Sequence, residues 1–236
     1  MQVVRHPDAE SAAAGAAAFV VDRIADAISR RGRAAVALSG GSTTPAMLIE
    51  LSRADVDWQR VHIFQVDERI APDGDPDRNA TGLHEALLSR VAIPPSQVHL
   101  MPVGDPDLDG VDLDGACRWY SAQLPAAFDV VHLGMGDDGH TASLVPGDRV
   151  LEMADRCVAM SAPYKGRRRM TLTFPVLDRA WTVLWLVCGA AKHDVLQRVW
   201  AGDRTLPAGR VSNPRAVWHV DLAAAGENTP VDRFRL

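Results

Sequence analysis

Residues 134–147 read GMGDDGHTASLVPG. Two adjacent carboxylates, Asp137 and Asp138, precede a single histidine, His140, and glycines stand at 134, 136 and 139. Imidazole exchanges protons near neutral pH, and a neighbouring carboxylate can orient it. The set therefore suits acid–base work on a polar bond. The glycines permit the tight turns that bring such side chains together. The six residues before them, FDVVHL at 128–133, are mostly apolar and β-branched, as in a strand covered on both faces. In open α/β sheets, ligands bind beyond the carboxyl ends of strands. Residues 134–139 also match G-x-G-x-x-G formally, but two aspartates would repel a pyrophosphate, and Pro146-Gly147 cut short the long helix that should follow. A Gly- and Asp-rich turn without chemistry is the other reading of this stretch, so the rest of the chain has to decide.

A second candidate lies at ALSGGSTTP, residues 37–45. An apolar strand runs into Gly40, Gly41, Ser42 and Thr43, then Pro45 opens a helical stretch. Backbone N–H groups and hydroxyls converging on a helix N-terminus favour an anion such as phosphate. No Gly-Lys-[Ser/Thr] follows, so this is not a P-loop. A simple Ser/Thr cap is the competing reading. A third set, Asp67-Glu68-Arg69, ends the apolar run 61–66. It fits a structural ion pair or a substrate-handling group equally well. Lys165 and Lys192 are the only lysines in a chain that otherwise uses arginine. Lys192 falls in the first turn of a helix expected over 189–200, where the dipole disfavours a cation, which points to a ligand contact. The loop PYKGRRR, 163–169, delivers Arg169 to the start of another strand, while Arg167 and Arg168 read as solvated.

The elements that must position these residues alternate. Strands are expected at 2–5, 34–38, 61–66, 98–103, 128–133, 157–162, 170–174, 181–187 and 216–222. Helices are expected at 8–31, 46–53, 81–91, 117–124 and 189–200. Loops are expected at 71–79, 104–115 and 206–211, with a polar tail from 226. The pattern describes one α/β/α domain over 1–236. A small additional lobe after Gly147 is the one elaboration it allows.

The bulk properties narrow the function classes. With 236 residues and 47% hydrophobic content, a substantial core is available. A net charge of −5 carries no basic footprint for nucleic acid. No run approaches the ~20 apolar residues of a membrane helix, and no secretory leader is evident. Cys117, Cys157 and Cys188 are widely spaced and form no C-x-x-C, which suits a reducing cytoplasm. A metal site from Asp67, Asp138 and His140 lacks any compact ligand spacing.

Taken together, several stretches resemble the 6-phosphogluconolactonase family: ALSGGSTTP (37–45), FQVDERIAP (64–72), GMGDDGHTASLVPG (134–147), RMTLTFPVLDRA (169–180), GAAKHDVLQRV (189–199) and WHVDLAAA (218–225). They cover nearly the whole chain in the family's order, and the element from Gly136 to Gly147 is the most specific. The resemblance implies hydrolysis of 6-phospho-D-glucono-1,5-lactone in the oxidative pentose phosphate pathway. It implies no metal or organic cofactor, and a modified Rossmann-like fold, a three-layer α/β/α sandwich with a mostly parallel sheet, shared with glucosamine-6-phosphate deaminases and ribose-5-phosphate isomerases. On the matching positions, His140 would be the general base and then acid. Asp138 would orient it, and Asp67 would hold substrate hydroxyls. Arg69 would contact the lactone or its carboxylate product, and Gly40, Gly41, Ser42, Thr43, Arg169 and Lys192 would cradle the 6-phosphate. The expected partner is a small sugar-phosphate lactone, with no nucleic acid or membrane, and the protein is expected to be a monomer or small homo-oligomer. Two alternatives share the fold: a sugar-phosphate isomerase or deaminase, and a sugar-phosphate-sensing domain. The chain departs from the family pattern at Arg78, at Val145 and at Tyr164-Lys165-Gly166.

Overall fold

The computed structural model describes residues 2–103 and 112–226. Its strands are β1 (Gln2–His6), β2 (Ala34–Leu38), β3 (Val61–Gln65), β4 (Asp67–Arg69), β5 (Val98–His99), β6 (Val130–Leu133), β7 (Val158–Met160), β8 (Arg169–Leu172), β9 (Val183–Val187) and β10 (Val217–Asp221). Its α-helices are α1 (Ala9–Arg31), α2 (Thr44–Arg53), α3 (Asn79–Leu83), α4 (Leu113–Ser121), α5 (Phe174–Asp178), α6 (His193–Trp200), α7 (Pro207–Arg210) and α8 (Leu222–Ala225).

Seven strands form one parallel sheet in the order β1-β10-β9-β6-β2-β3-β5. Both faces are covered, and alternate side chains go to opposite layers as the pleat requires. Val36, Leu38, Ile63, Val130, Leu184 and Leu186 pack with α1 and α2. Ala37, Phe64, Val131, Leu133, Trp185 and Val187 pack on the other side with α4, α6 and α8. The expected three-layer α/β/α sandwich is thus realised. The additional lobe is a three-stranded antiparallel sheet in the order β4-β8-β7. It draws β7 and β8 from the region after Gly147, but it also takes in β4, which had read as the end of the preceding strand.

α1 is the most regular element. Asp8 caps it by accepting from the Ser11 N–H at 2.8 Å, and Gly32 closes it at φ 75°. Its alanine-rich face, from Ala12 to Ala17 and on to Val20, Ile24 and Ala27, lies against the sheet.

Some boundaries differ from those expected, each for a physical reason. α3 begins at Asn79 because the Glu68 carboxylate accepts from the N–H groups of Asn79 (2.7 Å) and Ala80 (2.8 Å). A carboxylate distant in sequence supplies the cap, which no local pattern announces. The helix widens over His84–Leu88 and stops there, with the Ser89 N–H reaching the His84 carbonyl. β5 is only two residues long because the Met101 N–H donates to the Gln65 side chain at 2.7 Å instead of to a strand. Phe174, placed in a strand by its apolar neighbours, starts α5, where Pro175 suits the first turn. The stretch 206–211 contains the single turn α7, again opened by a proline. α4 starts four residues earlier than expected, with Asp112 capping it. Residues 104–111 of the expected acidic loop and the tail beyond 226 lie outside the described residues.

One buried group makes the fold sensitive to acid. His132, on β6, is fully buried, and neither ring nitrogen has a hydrogen-bond partner among the described residues. Burial pushes its pKa from 6.5 down to about 4. The native state therefore resists a proton that the unfolded chain takes up near 6.5. Its protonation penalty is nil above that pH, grows as pH falls from about 6.5 to about 4, and levels off below. The loss is of order 3 kcal/mol at a shift of this size. His132→Leu is expected to lose less unfolding free energy than the wild type between pH 7 and pH 4.5, as read from urea denaturation at both pH values.

Candidate active site

In the seven-stranded sheet, β2 leads toward β3 and β5, whereas the chain after β6 turns the other way to β9 and β10. Strand order therefore reverses between β2 and β6, the place where such sheets open a crevice at their carboxyl ends. The two glycine loops leave from those neighbouring strands and are tied together, because the Ser39 hydroxyl donates to the His132 carbonyl at 2.9 Å. A cavity of about 340 Å³ opens above them. Every candidate residue lines it: His140, Asp138 and Asp67; Gly40, Gly41, Ser42 and Thr43; Arg69, Arg169 and Lys192.

The 134–140 loop folds on itself. The Gly136 N–H donates to the His140 carbonyl at 2.8 Å, and the Gly139 N–H to the Gly136 carbonyl at 3.0 Å, with Gly139 at φ 80°. This turn sets His140 Nδ1 2.5 Å from Asp138 Oδ1. The same oxygen accepts from the His140 backbone N–H at 3.1 Å, and the Tyr164 hydroxyl donates to Asp138 Oδ2 at 2.9 Å. Burial alone would push the Asp138 carboxyl up. The bonds from the His140 backbone and ring, with that from Tyr164, outweigh it and hold the carboxyl below its ordinary value. An ionised carboxylate only accepts, so Nδ1 carries a proton, and in the neutral imidazole Nε2 is the nitrogen with the lone pair.

Asp67 is nearly fully buried. Ser143 Oγ donates to one of its oxygens at 2.6 Å, and Asn79 Nδ2 to the other at 3.1 Å. Burial raises its carboxyl above the ordinary value, opposed by the Ser143 bond and by Arg69 and Arg169. The neighbouring Glu68 serves the fold. It receives N–H groups from Arg69, Asn79 and Ala80 and pairs with the buried Arg78 at 3.2 Å. The Asp67-Glu68-Arg69 triplet thus divides: Glu68 is structural, while its two neighbours face the cavity.

The same cavity is also lined by cations, Arg69, Arg169 and Lys192. β4 and β8 pair antiparallel with Arg69 directly across from Arg169. Like charges at directly opposed positions repel. The buried Nε of each guanidinium lacks a hydrogen-bond partner among the described residues. Burial, and then Arg69 beside it, lower the Arg169 guanidinium from its ordinary value. The α2 N-terminus adds donors. Thr43 makes no side-chain cap, against the simple-cap reading, and the Thr44 hydroxyl bonds back to the Gly40 carbonyl at 3.0 Å. Lys192 sits where α6 begins, with Nζ paired to Asp137, which the pairing holds below its ordinary value. Among the described residues, no group of three or more His, Cys, Asp or Glu side chains is placed to hold a metal ion, and no helix is long and apolar enough to cross a membrane.

Two features were not visible in the residue pattern. Arg167, read as solvated, is ion-paired to Asp75 and Asp77 at 3.0 Å each and so fastens the 163–169 loop to the 71–79 loop. Tyr164 reaches the Asp138–His140 pair, and its only signal in the sequence was the unusual form of its loop.

Comparison with known proteins agrees with this geometry. The family model described as "Glucosamine-6-phosphate isomerases/6-phosphogluconolactonase" matches residues 7–219. A 6-phosphogluconolactonase of Mycobacterium tuberculosis is 37% identical over 94% of this chain and 96% of its own length. One from Synechocystis sp. is 36% identical over 89% and 90%. The crystal structure of 6-phosphogluconolactonase from Thermotoga maritima superposes with a TM-score of 0.80 at 29% identity, covering 93% of this chain and 99% of that one. A monomeric glucosamine-6-phosphate deaminase, 18% identical with a TM-score of 0.81, shares the fold. From the doubly covered parallel sheet to the loops at its switch point, the chain belongs to the glucosamine-6-phosphate isomerase/6-phosphogluconolactonase family.

Proposed function

We propose that this chain hydrolyses 6-phospho-D-glucono-1,5-lactone to 6-phospho-D-gluconate, the lactone-opening step of the oxidative pentose phosphate pathway. The observation that carries the reading is the union of two unlike sets of groups lining one cavity: an imidazole backed by a carboxylate, and two paired-strand arginines with a glycine-hydroxyl loop. A lactone phosphorylated at its far end needs both. The curated relatives named 6-phosphogluconolactonase, alike over nearly their whole length, support the same substrate.

The residues divide the work as follows. Arg169, Arg69, Lys192 and the 40–43 loop hold the 6-phosphate, which orients the distant carbonyl. The register of Arg69 opposite Arg169 favours the phosphate over the lactone end for that side chain. Asp67, locked by Ser143 and Asn79, accepts from substrate hydroxyls. His140 Nε2 takes a proton from water as its oxygen bonds to C1. The tetrahedral intermediate then collapses, the C1–ring oxygen bond breaks, and the imidazolium returns the proton to that oxygen. The new carboxylic acid ionises, so each turnover releases one proton to solvent. The reaction needs no organic cofactor or metal. The enzyme works in the cytoplasm as a monomer or small homo-oligomer, without nucleic acid or membrane. Its net charge of −5 and three free cysteines support that setting.

One observation bears on the deaminase alternative. The first acid after the 136–140 element is Asp148, and its carboxylate is spent on the N–H groups of Val150 (3.0 Å) and Ala162 (2.8 Å). It caps a turn and does not line the cavity. A pH-stat assay on freshly generated 6-phosphogluconolactone, with and without chelator, tests the function. Proton release above the spontaneous rate and insensitive to chelator is expected, with no ammonia formed from glucosamine 6-phosphate. Ammonia release without lactone acceleration would overturn the assignment.

The loop also predicts a steric phenotype. A Cβ built on Gly136 would lie 2.0 Å from His140 Nδ1 and 2.7 Å from Asp138 Oδ1. Gly136→Ala is expected to reduce kcat at least ~10-fold by displacing the pair, an effect readable by steady-state kinetics alongside the melting temperature.

A further inference from the structure

We propose that Tyr164 is a positioning residue for this reaction, acting at once on the proton-transfer pair through its hydroxyl and on the phosphate clamp through its ring. The inference rests on the lactonase reading and deepens it. Tyr164 stands at the turn of a short hairpin. Its N–H donates to the Arg167 carbonyl at 2.9 Å, and the Arg167 N–H returns the bond at 3.3 Å. Lys165 and Gly166 between them take φ 50° and 80°, both left-handed, as a two-residue type I′ connection requires. Lysine is an uncommon occupant of that conformation. Arg167 then anchors the hairpin through Asp75 and Asp77. The turn is thus built to hold the tyrosine in a fixed place.

From that place the hydroxyl donates to Asp138 Oδ2 at 2.9 Å and lies 3.5 Å from His140 Nδ1. The ring meets the His140 ring edge to face, with centroids 5.2 Å apart. The Arg169 guanidinium lies 5.0 Å from the Tyr164 ring centre, within cation–π reach. Asp138 has two oxygens. His140 takes one and Tyr164 the other, so the carboxylate cannot rotate away from the imidazole. The other charged groups of the cavity wall are Asp67, Arg69, Asp137, Lys165 and Lys192. Among the hydrogen bonds and ion pairs of the described residues, none of those groups meets Asp138, so the hydroxyl is the side-chain partner that fixes it from outside its own loop.

Two variants separate the two actions. Tyr164→Phe keeps the ring over Arg169 and removes the hydroxyl. It is expected to lower kcat about 5- to 10-fold with KM within about 2-fold of wild type, because an interaction serving the reacting group is lost while binding is kept. Tyr164→Ala removes both and is expected to raise KM about 5-fold or more as well. The imidazole ¹⁵N spectrum of selectively labelled protein supplies a readout independent of turnover: His140 protonated at Nδ1 in wild type, with mixed tautomers in Tyr164→Phe. Wild-type kcat together with an unchanged tautomer signature in Tyr164→Phe would overturn the proposal, as would equal KM values for the Phe and Ala variants. If wild type itself failed to accelerate lactone opening, the functional reading would fall, while the spectrum would still decide whether Tyr164 holds the pair.

Discussion

His140→Ala is expected to lower kcat for lactone opening by roughly 10²–10⁴-fold, toward the spontaneous rate. The expectation follows from the direction of the ring. Nδ1 is committed to Asp138 at 2.5 Å, which leaves Nε2 as the basic nitrogen. No other group offers an equivalent. Asp67 is given to the substrate hydroxyls, and Ser143 and Asn79 hold its oxygens in that orientation. Lys192 is paired with Asp137, and the arginines of the site do not give up protons. The variant should keep its fold, because the loop is held by backbone bonds from Gly136 and Gly139. It should also bind 6-phosphogluconate with an affinity within about 3-fold of wild type, since the phosphate is held by groups other than the imidazole. Steady-state proton release with calorimetric product binding checks both parts. Retained turnover would move the base elsewhere, with Asp67 tested next.

Arg169→Ala is expected to cut kcat/KM for the phosphorylated lactone by about 10²-fold or more, the loss typical of a buried charge-assisted contact. The same variant should differ little from wild type on unphosphorylated D-glucono-1,5-lactone, which offers the clamp nothing to hold. Relief of repulsion between Arg69 and Arg169 partly offsets any loss of stability, so the melting temperature should move less than the activity. Arg169→Lys should restore only a small part of the activity. An ammonium cannot reproduce the bidentate fork, and it stacks less well on Tyr164. Equal losses on the two lactones would show that Arg169 supports the fold or the dyad rather than the phosphate.

How much of this was legible depends on how far apart in sequence the partners lie. The His140–Asp138 pair spans two residues, and the anion loop spans four with its helix start beside it. Local spacing carries both. Strand composition carried the large sheet, because strands buried on both faces read as continuous apolar runs. What the pattern missed was set at long range. The register that opposes Arg69 to Arg169 joins strands a hundred residues apart. The pairing of Arg167 with Asp75 turned an apparently solvated cation into an anchor across 92 residues. The Glu68 cap moved the start of α3, and the Gln65 side chain ended β5. α5 and α7 are four or five residues long, too short for any helical period to show, although a proline opens each. Tyr164 stood out only as part of an unusual loop, because its partners, Asp138 and Arg169, are visible only once the hairpin is folded.

The central claim is that one cavity holds the phosphate against Arg169 and presents the reacting carbon to His140. A structure of the wild-type protein with 6-phosphogluconate tests it most directly. The account predicts phosphate oxygens about 3 Å from the Arg169 guanidinium and the donors of the 40–43 loop, with C1 of the product beside the His140 imidazole on its Nε2 side. A product molecule bound in the reverse sense, or with its phosphate away from Arg169 and that loop, would contradict it.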